Sequence, residues 1–273
     1  MVMRRGGSSV LVRAAGLARA GTTRGGQKRD EFLSDLIHIL GDARFIWLPK
    51  SSETTTSTDE SRHGVTVTYD ATIAARISRQ GSGVYVDFDG DDDEADTPDV
   101  ANHSFGDSLV DQPFSLVWLG KPDTDTSVQT LISKQNSGSV DEWELGIEAT
   151  TGYPQFFLVD ASSSNSLGRE DQTAIGTSDT LLVATYDGGG DEGGMRIYKD
   201  GTRVDDVTAG ATPLSYVAME DTASLVQLGA RYSTPAQFYN GKMGLACITG
   251  KELNVDEVSV LKKLVNAFFD ISL

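Results

Sequence analysis

The sequence predicts a mainly β protein, a sandwich or barrel closed by one helix, and three observations carry that expectation. Glycine occurs 29 times against seven prolines in 273 residues, with many Ser, Thr and Asp, a composition that suits short strands joined by turns better than a helical bundle. Beyond residue 83, short apolar runs recur at regular intervals with Gly, Asn and Asp between them, as in a sandwich or barrel. From Asn254 the period changes, and Val255, Val258, Leu261, Leu264, Val265 and Phe268 fall at helical spacing, the pattern of an amphipathic helix packed on a sheet. A chain of this length buries enough apolar surface to fold without staples.

The charge divides the chain. Residues 1–29 hold Arg4, Arg5, Arg13, Arg19, Arg24, Lys28 and Arg29 and no acid; the remaining 16 bases face all 40 acids, so the body carries −24 of a net −17. Arg13 and Arg19 interrupt the apolar stretch that a secretory signal needs, although an acid-free, Arg-rich start shares the composition of a transit peptide. An arm with so few large apolar residues cannot order itself by burial, so it is expected to gain order on a partner, with the acidic body of a sister chain the natural acceptor. Nucleic acid is the disfavoured alternative: the arm has no aromatic residue for base stacking, and the acidic body repels the polymer.

Next, Phe32, Leu33, Leu36, Ile37 and Leu40 mark one face of a short helix ending near Gly41. The apolar run Phe45-Ile-Trp-Leu48, stopped by Pro49, reads as a buried strand or a docking peg, so Phe32, Leu36, Leu40 and Trp47 are the candidate docking residues. Residues 51–62 are rich in Ser and Thr and read as a linker or exposed loop. The expected organisation is therefore a basic extended arm over 1–30, a helix and linker over 31–62, and the sandwich with its C-terminal helix over 63–273. Val65–Tyr69 alternates at period two, and 73–77 continues as a strand or a helical turn. Further strands are expected at 84–88, 114–119, 130–133, 143–147, 155–159, 180–185, 195–199, 225–228, 238–239 and 243–248. Gly188–Gly194 reads as the loop of a hairpin between Tyr186 and Met195. The single cysteine, Cys247, lies in an apolar run and reads as a buried hydrophobe; it excludes an intrachain disulfide and a Cys-rich metal site. No window approaches the roughly 20 apolar residues of a membrane-spanning helix.

Candidate sites are few. The acidic run containing Asp89, Asp91, Asp92 and Asp93 offers several carboxylates on one loop, the chemistry of a Ca²⁺ cage. It lacks EF-hand spacing, and a solvated loop or a receptor for a neighbour's basic arm are the other readings. Tyr153, Tyr232 and Tyr239 are candidate stacking platforms for a glycan, with ordinary packing as the alternative. His38, His63 and His103 are scattered without ligand spacing.

Taken in order, Val84-Tyr-Val-Asp-Phe-Asp-Gly90, Phe114-Ser-Leu-Val-Trp118, Leu131-Ile-Ser-Lys134, Trp143-Glu-Leu-Gly-Ile147, Leu182-Val-Ala-Thr-Tyr-Asp187, Ile197-Tyr-Lys-Asp-Gly201, Leu228-Gly-Ala-Arg231 and Phe238-Tyr-Asn-Gly-Lys242 resemble successive strands of the laminin G-like, concanavalin A-type domain. The resemblance covers about residues 84–270 and implies a jelly roll of two antiparallel sheets. Members that cleave glucans carry acids alternating along one strand. The nearest series here is Glu142, Glu144, Gly146, Glu148, with glycine in the central place, so no catalytic residue is expected and the protein is read as no enzyme. Members that hold Ca²⁺ at the sandwich edge raise the interest of the acidic run. The expected function is that of a structural protein of a large assembly. It is read as a tailed-phage virion component, a capsid decoration, head fibre or tail protein, that oligomerises, binds the major capsid or tail protein through its arm and displays the sandwich. The alternative is a carbohydrate-binding, lectin-like adhesion module, Ca²⁺-dependent in one form, that takes a host-surface glycan.

Overall fold

The computed structural model describes residues 29–70, 76–136, 140–209, 215–232 and 236–273. Arg4, Arg5, Arg13, Arg19, Arg24 and Lys28 of the expected arm lie outside these residues, as does most of the 73–77 segment.

The described residues begin with helix α1 (Arg29–Leu40) and strand β1 (Ala43–Trp47), followed by β2 (Thr56–Thr58), β3 (Thr66–Tyr69), β4 (Ile77–Gln80), β5 (Gly83–Asp89) and β6 (Ala95–Thr97). The central strands are β7 (Phe114–Pro122), β8 (Gln129–Lys134), β9 (Trp143–Ile147), β10 (Pro154–Asp160), β11 (Asn165–Glu170), β12 (Thr180–Tyr186) and β13 (Met195–Lys199). The short β14 (Thr202–Arg203), β15 (Val207–Thr208) and β16 (Val226–Leu228) precede the long β17 (Asn240–Thr249) and helix α2 (Val255–Phe269). Two antiparallel sheets result, as expected. The first runs β14-β13-β12-β7-β17-β5-β4, with β1 also paired to β17; the second runs β15-β11-β10-β9-β8-β16-β6-β3-β2.

The two sheets differ in what covers their outer faces. Along β7, Phe114, Leu116 and Trp118 point into the sandwich, whereas Val117 and Leu119 join the cluster formed with the helices. The strand is therefore apolar on both sides, which is why Phe-Ser-Leu-Val-Trp-Leu reads as a continuous run instead of alternating. Between the sheets, Phe105 stacks on Phe114 at 4.2 Å and Phe114 meets the Trp143 ring at 6.2 Å. On the outside of the first sheet, α1 and α2 pack together with Phe32 stacked on Phe268 at 4.1 Å. Asn254 starts α2 through a capping box with Glu257, which satisfies N–H groups that would otherwise lack partners. Gly83 is required for the helix to seat, because a Cβ there would lie 2.1 Å from the Phe269 ring.

Several expectations change. Phe32, Leu36, Leu40 and Trp47 are fully buried against the chain's own sheets and helices, so they dock internally and present nothing to another protein. Arg29, expected in the arm, is the first residue of α1; it donates to the Pro49 carbonyl at 3.0 Å and pairs with Glu60 at 2.8 Å. The polar stretch 51–62 holds β2, and Asp59 in it is buried, accepting the N–H groups of Ile46 and Ser61, both at 2.7 Å. A polar composition looks like a linker, yet here the side chain satisfies backbone donors in place of water. Phe238 and Tyr239 precede β17 and belong to no strand. Cys247 is buried, and burial pushes its thiol up.

Candidate functional site

Because both helices cover the first sheet, the outer face of the second is the open one. A groove of about 420 Å³ lies on it. Its floor comes from β9 and β10, where period two sends Trp143, Leu145, Phe156 and Leu158 inward to the core and leaves the alternate residues facing out. Glu144, Gly146, Gln155, Phe157 and Val159 line the groove, with Glu148 just past β9. In register, Gln155 pairs with Gly146 and Phe157 with Glu144. Asp141, Arg231, Tyr232 and Gln237 complete the walls.

The polar groups of the groove are already organised. Glu144 Oε1 accepts the Thr130 hydroxyl at 2.8 Å, and its Oε2 pairs with Arg231 at 2.9 Å. The Arg231 guanidinium in turn lies 4.5 Å from the centroid of the Tyr232 ring, a cation–π contact. Glu148 Oε2 accepts the N–H groups of Thr150 and Thr151 and the Thr151 hydroxyl; these bonds hold its carboxyl below the ordinary range. Asp141 Oδ1 accepts the N–H of Asn136 at 3.0 Å.

The acidic series of β9 does not form a catalytic pair. Glu142 is fully buried beside Lys134, their charged atoms 2.7 Å apart. Glu144 is held by Thr130 and Arg231. Glu148 lies beyond the end of β9, bonded to Thr150 and Thr151. At Gly146 a Cβ would stand 2.9 Å from the Gln129 carbonyl oxygen and 3.0 Å from Glu144 Oε1, so an acid could be placed there only by displacing Glu144.

Of the tyrosines singled out in the sequence, Tyr232 borders the groove and is half-buried, while Tyr153 is half-buried and outside its lining. Tyr239 is fully buried, edge-on to Trp118 at 5.6 Å, with its hydroxyl donating to the Lys242 carbonyl at 3.1 Å; it cannot reach a ligand. Sequence reasoning missed Phe157, Gln155, Arg231 and Gln237. The first two carried a signal, since Gln155, Phe157 and Val159 form the outward series of a strand whose inward series was legible; Arg231 lies 87 residues from its partner Glu144 and carried none.

On the acidic run, Asp89, Asp92 and Asp93 bring ligand atoms within 4.8 Å of one another, whereas Asp91 is outside that group and exposed. Arg76 reaches into the same place, 3.0 Å from Asp89 and 2.5 Å from the fully buried Asp93. Asp89 Oδ1 also accepts the N–H groups of Asp91 and Asp92. Burial alone would raise the Asp89 carboxyl, but these N–H groups and Arg76 together hold it low. A guanidinium thus supplies the positive charge that a calcium ion would bring. Among the histidines, His38 is exposed and His63 contacts Asn102 at 3.0 Å. His103 is buried, and desolvation depresses its imidazole to about 4.

Comparison with known proteins agrees with this architecture. The family model described as the concanavalin A-like lectin/glucanases superfamily matches residues 89–259. No curated protein sequence matches. Among solved structures, botulinum neurotoxin type C, whose way into cells depends upon interaction with two ganglioside molecules, superposes with a TM-score of 0.59 at 14% identity, over 84% of this chain and 52% of that one. The binding domain of paraclostridial mosquitocidal protein 1 gives a TM-score of 0.63 at 10% identity, over 82% and 52% of the two chains. The binding domain of botulinum neurotoxin DC in complex with rat synaptotagmin II gives 0.56 at 15% identity, over 82% and 52%. The chain thus spans about half the length of each of these structures, and at such identities the likeness is one of fold.

Proposed function

Since the chain belongs to the concanavalin A-like lectin/glucanases superfamily, we propose that it is a non-catalytic, lectin-like recognition module that takes a glycan in the groove on the open face of its second sheet. The observation that carries this reading is the groove itself: the half-buried Phe157 ring lies among carboxylates and amides from Asp141, Glu148, Gln155 and Gln237. Aromatic faces suit the apolar side of a sugar ring, and planar polar groups suit its hydroxyls. That botulinum neurotoxin type C, similar in fold, interacts with gangliosides supports a glycan as the kind of partner, without fixing its charge. Within the groove Glu144 is bound to Thr130 and Arg231, and Glu148 to Thr150 and Thr151, an arrangement that supports binding without hydrolysis.

A glycan array probed with the full chain, its Phe157→Ala variant, and the full chain in chelator tests the reading. Binding that is lost in Phe157→Ala and unchanged by chelator is expected, because Arg76 occupies the acidic cluster. Binding to no glycan would refute it.

A second reading is favoured by the charge asymmetry between residues 1–29 and the rest. The module is displayed on a tailed-phage virion, as a capsid decoration, head fibre or tail protein. The basic residues Arg4 to Lys28 anchor it to the major capsid protein, a tail protein or a sister copy. Deleting residues 1–28 is expected to leave folding intact and abolish incorporation into particles; normal incorporation of the truncated chain would refute the anchoring.

A further inference from the structure

The groove has a charge of its own. Asp141, Glu144, Glu148 and Arg231 are the charged residues among its described lining, a formal charge of −2. The one cation is already engaged, bound to Glu144 at 2.9 Å on one side and stacked over Tyr232 on the other. An arriving anion therefore finds no guanidinium to receive it unless it breaks a bridge whose acid is nearly buried, with 8% of the Glu144 side chain exposed. Releasing Arg231 would leave that carboxylate without its counter-charge in a partly desolvated place, which is costly. The Glu148 carboxyl, held below the ordinary range by Thr150 and Thr151, stays ionised across the physiological range. Beyond the groove, the net charge of the chain is −17, so the long-range field also opposes an anion.

We infer that the groove admits uncharged oligosaccharides and rejects their sialylated or sulfated counterparts. The inference rests on the glycan-binding reading above and adds the class of glycan to it. Hydroxyl groups can be received by the carboxylates and by the Gln155 and Gln237 amides, none of which requires a charged ligand. A ligand carboxylate or sulfate placed in this described lining meets the like charges of Asp141 and Glu148 with no free cation to offset them, and such juxtaposition suppresses binding.

Matched oligosaccharide pairs, each a neutral core and the same core with a terminal sialic acid or sulfate, separate the outcomes when titrated against the full chain at low and high salt. Neutral members should bind, with their anionic partners weaker by roughly tenfold or more at low salt. The gap should narrow at high salt, and also in an Asp141→Asn, Glu148→Gln double variant whose melting temperature confirms that it folds. Anionic partners bound as tightly as the neutral cores would overturn the charge selection and leave the glycan reading standing. No binding by any member of any pair, or binding that survives Phe157→Ala, would overturn the reading of the groove and the selection with it.

Discussion

Lys134→Met isolates one buried charge and should cost a large part of the stability of the fold. The side chains of Lys134 and Glu142 are both fully buried, with Nζ and Oε1 2.7 Å apart. Lys134 also donates to the Thr222 carbonyl at 2.8 Å and pairs with Asp99 at 3.1 Å. Glu142 Oε1 accepts the N–H and hydroxyl of Thr222 and the hydroxyl of Ser104. Met keeps the length of the side chain and removes the ammonium, stranding the carboxylate; breaking a buried pair in this way costs about 3–5 kcal/mol, roughly 6–20 °C in Tm for a chain of this size. The pH dependence is diagnostic. Burial already raises the Glu142 carboxyl above its ordinary 4.5, against the opposing pull of Lys134 and Thr222, and loss of Lys134 raises it further. A carboxyl whose folded pKa is raised contributes most at low pH, and that contribution is lost as pH rises through the folded value. The deficit of the variant relative to the parent should therefore be largest at neutral and basic pH and shrink toward the ordinary value of 4.5. Urea titrations of both proteins across a pH series measure it, and Lys134→Met with Glu142→Leu should recover much of the loss. A deficit that is absent, or the same at every pH, would refute this account of the pair.

Acid acts on His103 with the opposite sign. With its folded value depressed from 6.5 to about 4, stability is lost as pH falls through that window, by about 3 kcal/mol at most. His103→Gln should flatten this acid limb of the melting curve, and an NMR titration of the imidazole shows the depressed value directly. Phe32→Ala removes a ring stacked on Phe268 and should cost about 3–5 kcal/mol, read as a lower urea midpoint; a surface docking residue would leave the midpoint unchanged. Arg76→Met should lower Tm and make Tm respond to millimolar calcium, because Asp89, Asp92 and Asp93 then lack the guanidinium. The unaltered protein should show no such response, and a calcium-induced rise in its Tm would show that Arg76 does not fill the cation position.

The parts of the fold legible in the sequence are those where one physical demand dominates. Helix α2 announces itself because its buried side chains follow the helical period and Asn254 and Glu257 cap it; β7 does so because burial on both faces leaves the unbroken apolar run Leu116 to Leu119. Strands β6 and β11 were missed because Ala-Asp-Thr and Asn-Ser-Leu-Gly-Arg-Glu each have one face on the core and little apolar surface to betray it, Leu167 being the one large buried hydrophobe of β11. The 51–62 stretch misled for a related reason: Ser57, Asp59 and Ser61 are polar by type and buried by position. Tyr239 shows the converse, an amphipathic residue that looks like a platform until its rings of neighbours are known. At the groove, the outward series of β10 was readable from period two, but the Glu144–Arg231 bridge joins strand β9 to a residue beyond β16, a contact that only the sheet order creates.

Gly146 ties these observations together. On the open face of β9 it lies between two glutamates, and any side chain there would press on the Glu144 carboxylate and the Gln129 carbonyl. An acidic side chain would add like-charge repulsion to the steric conflict and would draw Arg231 away from Glu144 toward a shared position, changing both the charge and the depth of the groove. Glycine leaves the space above the strand open and leaves the bridge intact. The same position therefore stands where the related glucan-cleaving series would carry its central acid, and keeps open the floor that holds the half-buried Phe157. One missing side chain thus shapes the groove, set in a sheet whose other face is committed to the core and whose partner sheet is closed by two helices.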